Sequence, residues 1–211
     1  MVNTLIRLLS IFPKEHWTYS RLSSNPNITF DFVLANREKP WNWSILSYNP
    51  NIIFNNILEH PEISWNWNLL SWNPNITFDI VLANLDKCWD WRLLSRHHNI
   101  TFDIVLAYQD KPWNWYWLSY NPNITLNIII KHPDKPWNWN SLSSNPNITF
   151  DDVIKHPNKK WNWNKLSNSA IFDENSDLNH SSLNFEELSL NHSITYDLVL
   201  KYQDKPWDYL I

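Results

Sequence analysis

The residues best suited to metal or acid–base chemistry are eight histidines, and three of them, His60, His132 and His156, share one position of a 24-residue repeat. A tetrahedral metal ion needs its ligands about 2 Å away, whereas equivalent positions of stacked helical repeats lie about 10 Å apart. No cysteine or paired carboxylate joins the three. Polar or cationic caps at helix C-termini are the expected role, and neither a metal nor any other cofactor is expected. His97-His98 is a stronger pair by adjacency alone. Ser23, Ser47, Ser71, Ser95, Ser119, Ser143, Ser167 and Ser189 form another column, but no His–acid pair attends any of them, as a nucleophile would require. They are expected to permit close helix approach or to bond a turn. Asp31, Asp79, Asp103, Asp151 and Asp197 recur where negative charge complements a helix N-terminus. Glycine is absent, which excludes every glycine-dependent phosphate loop. The expected protein is not an enzyme.

Sixteen tryptophans suggest stacking on sugars or bases. Most recur at fixed columns, however, as a ladder core requires, and only Trp72 and Trp117 lie outside those columns. They belong to two positions, three residues apart on one helix face, that vary between repeats: Arg21/Ser24, Ile45/Tyr48, Leu69/Trp72, Leu93/Arg96, Trp117/Tyr120, Ser141/Ser144 and Lys165/Asn168. Only the middle repeats are apolar there. Ile45, Tyr48, Leu69, Trp72, Leu93, Arg96, Trp117 and Tyr120 have the composition of a protein-binding hot spot with polar flanks. The same pattern is compatible with core in the middle repeats or with a dimer contact.

The elements that must position this face follow from the repeat. Trp17, Trp41, Trp65, Trp89, Trp113, Trp137 and Trp161 are spaced by 24 residues, and the units share the pattern W-N-W-x-x-L-S-x-N-P-N-I-T-F-D-x-V-L-x-x-x-D-K-P. Such self-similarity specifies units that pack on their neighbours, each too small to bury a core alone. Two short helices fit each unit. The residue between the paired aromatics is Thr18, Asn42, Asn66, Asp90, Asn114, Asn138, Asn162, Asn184 or Asp208, all N-cap formers. With Asn42 as cap, Trp41 and Leu46 make a hydrophobic staple. The grammar repeats at Thr29, where Ile28 and Val33 form the staple and Phe30, Val33 and Leu34 lie on one stripe. Thr77, Thr101, Thr125, Thr149 and Thr195 repeat that cap; Ile53 and Ile171 break it. Asn-Pro-Asn stops the first helix, and Asp-Lys-Pro makes the second turn.

The expected fold class is therefore all-α, an α-solenoid of about eight two-helix repeats. A β-solenoid is the alternative, since Trp-Asn-Trp alternates and Ile-Thr-Phe is strand-like. Residues 1–211 form one array: 1–16 a terminal half-repeat with Thr4 as cap and Ile6 and Leu9 in core columns, 17–206 tandem repeats, and 207–211 the opening of another unit. The unit at 161–182 is degenerate. Asn175, Ser176 and Asp177 replace the Val33, Leu34 and Ala35 columns, so its second helix should be weak.

With 17 basic and 21 acidic residues the net charge is -4, which gives no electrostatic excess toward nucleic acid or an anionic membrane. No apolar stretch approaches the roughly 18–20 residues needed to span a bilayer, and the start carries no cleavage site of a signal peptide. The lone Cys88 cannot form an intramolecular disulfide, so an intracellular protein is expected. On that reading the N-x-T sequons at Asn27, Asn75, Asn99, Asn123 and Asn147 stay unmodified. The motif K-P-W-N-W-x-x-L-S-x-N-P-N-I-T-F-D resembles the short tandem repeats of uncharacterised proteins of giant nucleocytoplasmic DNA viruses, those similar to mimivirus among them, over Trp17 to Tyr209. That resemblance implies a viral intracellular protein, in the host cytoplasm or the virion, and carries no activity, ligand or active site. The leading functional expectation is a non-enzymatic scaffold that binds a host or viral protein through the variable face of the first helix. A structural or self-assembling component of the virion or viral factory, associating through the open C-terminal end, is the second. Single-stranded nucleic-acid binding is the third.

Overall fold

The computed structural model describes residues 4–12 and 16–208 of the chain. Among these residues the protein is helical, without a β-sheet; Thr149 and Ile171 make an isolated parallel bridge. This is an all-α repeat fold. The strand-like alternation of Trp-Asn-Trp is instead a helix entrance, with the asparagine as cap and the second tryptophan as first helical residue.

Two compact units divide the chain, Met1–Asn99 and Ile100–Ile211. The first holds α1 (Thr4–Ile11), α2 (Tyr19–Leu22), α3 (Phe30–Ala35), α4 (Trp43–Ser47), α5 (Phe54–Glu59), α6 (Trp67–Leu70), α7 (Phe78–Ala83) and α8 (Trp91–Arg96). The second holds α9 (Phe102–Ala107), α10 (Trp115–Ser119), α11 (Leu126–Lys131), α12 (Trp139–Leu142), α13 (Phe150–Lys155), α14 (Trp163–Ser169), α15 (Phe185–Ser189) and α16 (Tyr196–Lys201).

Helices this short are marginal in isolation, so their ends matter. The side chains of Asn42, Asn66, Asp90, Asn114, Asn138, Asn162 and Asn184 each accept an amide bond from the first turn that follows. Thr18 makes no such bond. Thr29, Thr77, Thr101, Thr149 and Thr195 cap the second helices, whereas Thr125 makes no side-chain cap bond. Ile53 has no acceptor to offer, and Asn56 compensates by accepting the Ile53 amide at 2.9 Å.

The core runs through the columns of Ile28, Val33, Trp41 and Leu46, all buried. The stripe of Phe30, Val33 and Leu34 holds only in part. Phe30 and Val33 are buried, but the Leu34 column sits at the edge: Leu34, Leu82 and Leu106 are half-buried, and Leu58, Ile130, Ile154 and Leu200 are exposed. In the first unit α1 brings Leu9 and Leu5 onto Ile28, Val33, Trp41 and Leu46. Ile6 is only half-buried, and Thr4 lies within α1 rather than capping it from outside.

In the degenerate unit the second helix is absent, not weak. After α14, Ala170 and Phe172 are buried in extended backbone, the Phe150 amide bonds the Ile171 carbonyl, and the Phe150 and Phe172 rings lie 4.8 Å apart. Two turns follow. Ser176 is buried within the first, bonded to the Asp173 amide, and Leu178 is fully buried. Trp207 is buried and the Asp208 amide bonds Ser189; the final-repeat residues 209–211 lie outside the described residues.

Candidate interaction surface

Three repeating sets of polar bonds hold the helices and decide which side chains remain for a surface. The first lies in the Asn-Pro-Asn turns. Asn49 donates from Nδ2 to the carbonyls of Ser23 and Asn25, one repeat back, at 2.9 and 3.1 Å, and its Oδ1 accepts the Asn51 amide. Asn73 and Asn145 do the same in their own repeats, and Asn191 donates to the carbonyls of Ser167 and Ala170 and accepts the Ser193 amide. All four are buried, so each is an uncharged polar rung with its donors and acceptor satisfied. The second asparagine reaches back as well: Asn51 to Pro26 and Ile28, Asn75 to Pro50 and Ile52, Asn147 to Pro122. Stopping the helix is thus only part of what this turn does. At 97 the rung is a histidine, which takes both of asparagine's roles: Nε2 bonds the Asn73 carbonyl at 3.0 Å and Nδ1 accepts the Asn99 amide at 3.3 Å.

The serine column provides the second set. Each hydroxyl donates to a carbonyl four residues earlier and accepts the amide of the next repeat's cap residue: Ser23 for Asn42, Ser47 for Asn66, Ser71 for Asp90, Ser119 for Asn138, Ser143 for Asn162. Only a small side chain carrying both a donor and an acceptor fits there. The indoles provide the third. Trp41, Trp65, Trp89, Trp113, Trp137, Trp161 and Trp207 are buried, and each Nε1 donates to the carbonyl five residues earlier, tying down the end of the preceding second helix. His60, His132 and His156 are the C-cap residues whose carbonyls receive that bond. Among the described residues no group of three or more metal-ligand side chains gathers.

The second tryptophan of each pair is half-buried and meets the first of the next repeat edge-on: Trp43–Trp65, Trp67–Trp89, Trp115–Trp137 and Trp139–Trp161, at 4.9–6.0 Å. Lys87 lies over Trp67 and Lys159 over Trp139, so those outer faces are covered by a cation.

The variable face of the first helices is partly accessible. In the unit Met1–Asn99, Ile45, Tyr48, Leu69, Leu93 and Arg96 are half-buried, and Trp72 is 41% exposed. The Arg96 guanidinium lies 5.4 Å from the Trp72 ring centre, stacked from the following repeat. At the entrance of α8 Asp90 binds Arg92 through two bonds, at 3.2 and 2.8 Å; the Arg92 bond holds the Asp90 carboxyl below the ordinary carboxylate value. In the unit Ile100–Ile211, Trp117 and Tyr120 are half-buried. Tyr116, which the column pattern did not single out, is 42% exposed and meets Trp117 edge-on at 5.2 Å. Its column, Ser44, Asn68, Arg92, Tyr116 and Asn140, varies too and is exposed throughout, which is the signal that would have found it. Ser141, in the Leu69 column, is fully buried with no partner for its hydroxyl.

Cys88 is exposed. Among the described residues no helix is long and apolar enough to cross a membrane. No protein-family model matches the chain, and no curated protein or solved structure is significantly similar to it.

Proposed function

We propose that this chain is a non-enzymatic repeat scaffold that binds a protein partner through the variable face of its first helices, in an intracellular setting such as the giant-virus resemblance implies. One observation carries the reading. The first tryptophan of each pair, from Trp41 to Trp161, is buried and hydrogen-bonded within the framework, whereas Trp72 has no counterpart in its column, is exposed, and is held by Arg96. A large ring fixed in place by a guanidinium loses little side-chain entropy when covered, and tryptophan and arginine are the residues that dominate protein–protein binding energies. Leu69, Leu93 and Tyr48 extend the face with apolar and aromatic surface. Tyr116, Trp117 and Tyr120 offer similar chemistry in the other unit.

The test is affinity capture from the cells in which the protein is made, comparing the wild-type chain with Trp72→Ala/Trp117→Ala at equal helix content. Loss of captured protein in the double variant is the expected result. Equal capture by both would end the proposal, and a salt-sensitive gain of oligonucleotide binding in its place would favour single-stranded nucleic acid.

A further inference from the structure

Of the rungs at 49, 73, 97, 145 and 191, only the one at 97 can titrate. His97 is buried, and its two bonds fix its state. Nε2 must carry a proton to bond the Asn73 carbonyl, and Nδ1 must lack one to accept the Asn99 amide. A second proton would sit on Nδ1, facing the Asn99 N–H, so that two donors oppose each other in a buried turn. Asparagine meets the same geometry with an amide that carries no charge at any pH of interest. The side chain adjacent to this rung on each strand of chain belongs to the stacked pair, Arg96 beside His97 and Trp72 beside Asn73.

We propose that His97 makes the first unit acid-sensitive: in mild acid a second proton on Nδ1 breaks the bond from the Asn99 amide, and the charge placed in the buried turn loosens the adjoining Trp72–Arg96 stack. Arg96 and His98 flank His97 in sequence, the His98 ring lies 4.5 Å away, and the facing turn, Trp72-Asn73-Pro74-Asn75, contributes no charge. Burial pushes the imidazole below its ordinary value of 6.5; the Asn73 carbonyl bond opposes this and the His98 charge adds to it. The unfolded chain therefore takes up a proton near pH 6.5 that the folded chain refuses. The contribution to stability is complete above that pH and is lost progressively as pH falls from 6.5 toward the lower folded value. The inference is independent of whether the Trp72 face binds a partner.

Amide hydrogen exchange on the full chain tests it with an internal control. The Asn99 amide, bonded to His97 Nδ1, should lose protection below pH 6.5, by up to roughly tenfold per pH unit after correction for intrinsic exchange. The Asn75 amide, bonded to Asn73 Oδ1 at 2.9 Å, should not. In His97→Asn, and in His97→Asn/His98→Pro, which restores the repeat's own Asn-Pro, the acid-dependent loss at residue 99 should vanish. A pH-independent Asn99 protection factor in the wild type would overturn the proposal. So would nitrogen NMR showing His97 at pH 7 as the Nδ1–H tautomer or as the imidazolium.

Discussion

Replacing Asn73 by alanine measures how much the buried rungs hold the repeats together. The side chain is fully buried, its Nδ2 donates to the carbonyls of Ser47, Asn49 and Ile52 at 2.9, 3.1 and 3.1 Å, and its Oδ1 accepts the Asn75 amide at 2.9 Å. Two donor hydrogens and one acceptor are removed, worth about 1 kcal/mol each in net stability, and the stranded carbonyls and amide add desolvation that water cannot relieve. The expected cost is about 3–4 kcal/mol. Asn75→Ala is the matched control: its Nδ2 reaches the carbonyls of Pro50 and Ile52 from a half-buried position where water can replace it, and about 1 kcal/mol is expected. Urea denaturation followed by tryptophan fluorescence gives both values, compared at equal m so that stepwise unfolding of the array does not distort them. If Asn73→Ala costs no more than Asn75→Ala, the rungs are not what couples the repeats.

Ser141→Ala removes a buried hydroxyl that has no partner and should raise stability by about 1 kcal/mol in the same assay; a loss of similar size would mean the hydroxyl is satisfied in solution. Residues 174–177, which are non-helical where the other repeats have a helix, should exchange their amides faster than α13, and equal protection there would refute the reading of that unit.

The helices were legible in the sequence because capping chemistry is local: Asn42, Asn66 and Thr29 sit next to the turns whose amides they accept. The polar ladder was not, because it joins residues about one repeat apart. Asn49 reads locally as a helix stop, and nothing within its own turn says that its amide reaches back to Ser23 and Asn25. The serine column reads in the sequence as small or turn-bonding, yet its partner is the cap amide of the next repeat. Periodicity placed the tryptophans in the core but did not reveal that their Nε1 groups close the preceding helix. The degenerate repeat was recognisable from Asn175 and Asp177, but not the use of Phe172 and Leu178 to refill its core, since that depends on which side chains the missing helix leaves uncovered. On the variable face, Trp72 and Arg96 were named separately; their stacking joins two repeats and needed the fold.

A framework built from recurring residues, with the proposed binding carried by the residues that do not recur, makes Trp72 and Trp65 opposites. Trp65 is buried and its Nε1 bonds the His60 carbonyl at 3.0 Å, while Trp72 is exposed. The decisive measurement is the stability of Trp72→Ala beside that of Trp65→Ala under identical conditions. Trp65→Ala should cost about 3–5 kcal/mol, as truncation of a core ring does, and Trp72→Ala less than about 1 kcal/mol. Equal losses would show that Trp72 belongs to the core, and the face assigned to partner binding would have no residue left to support it.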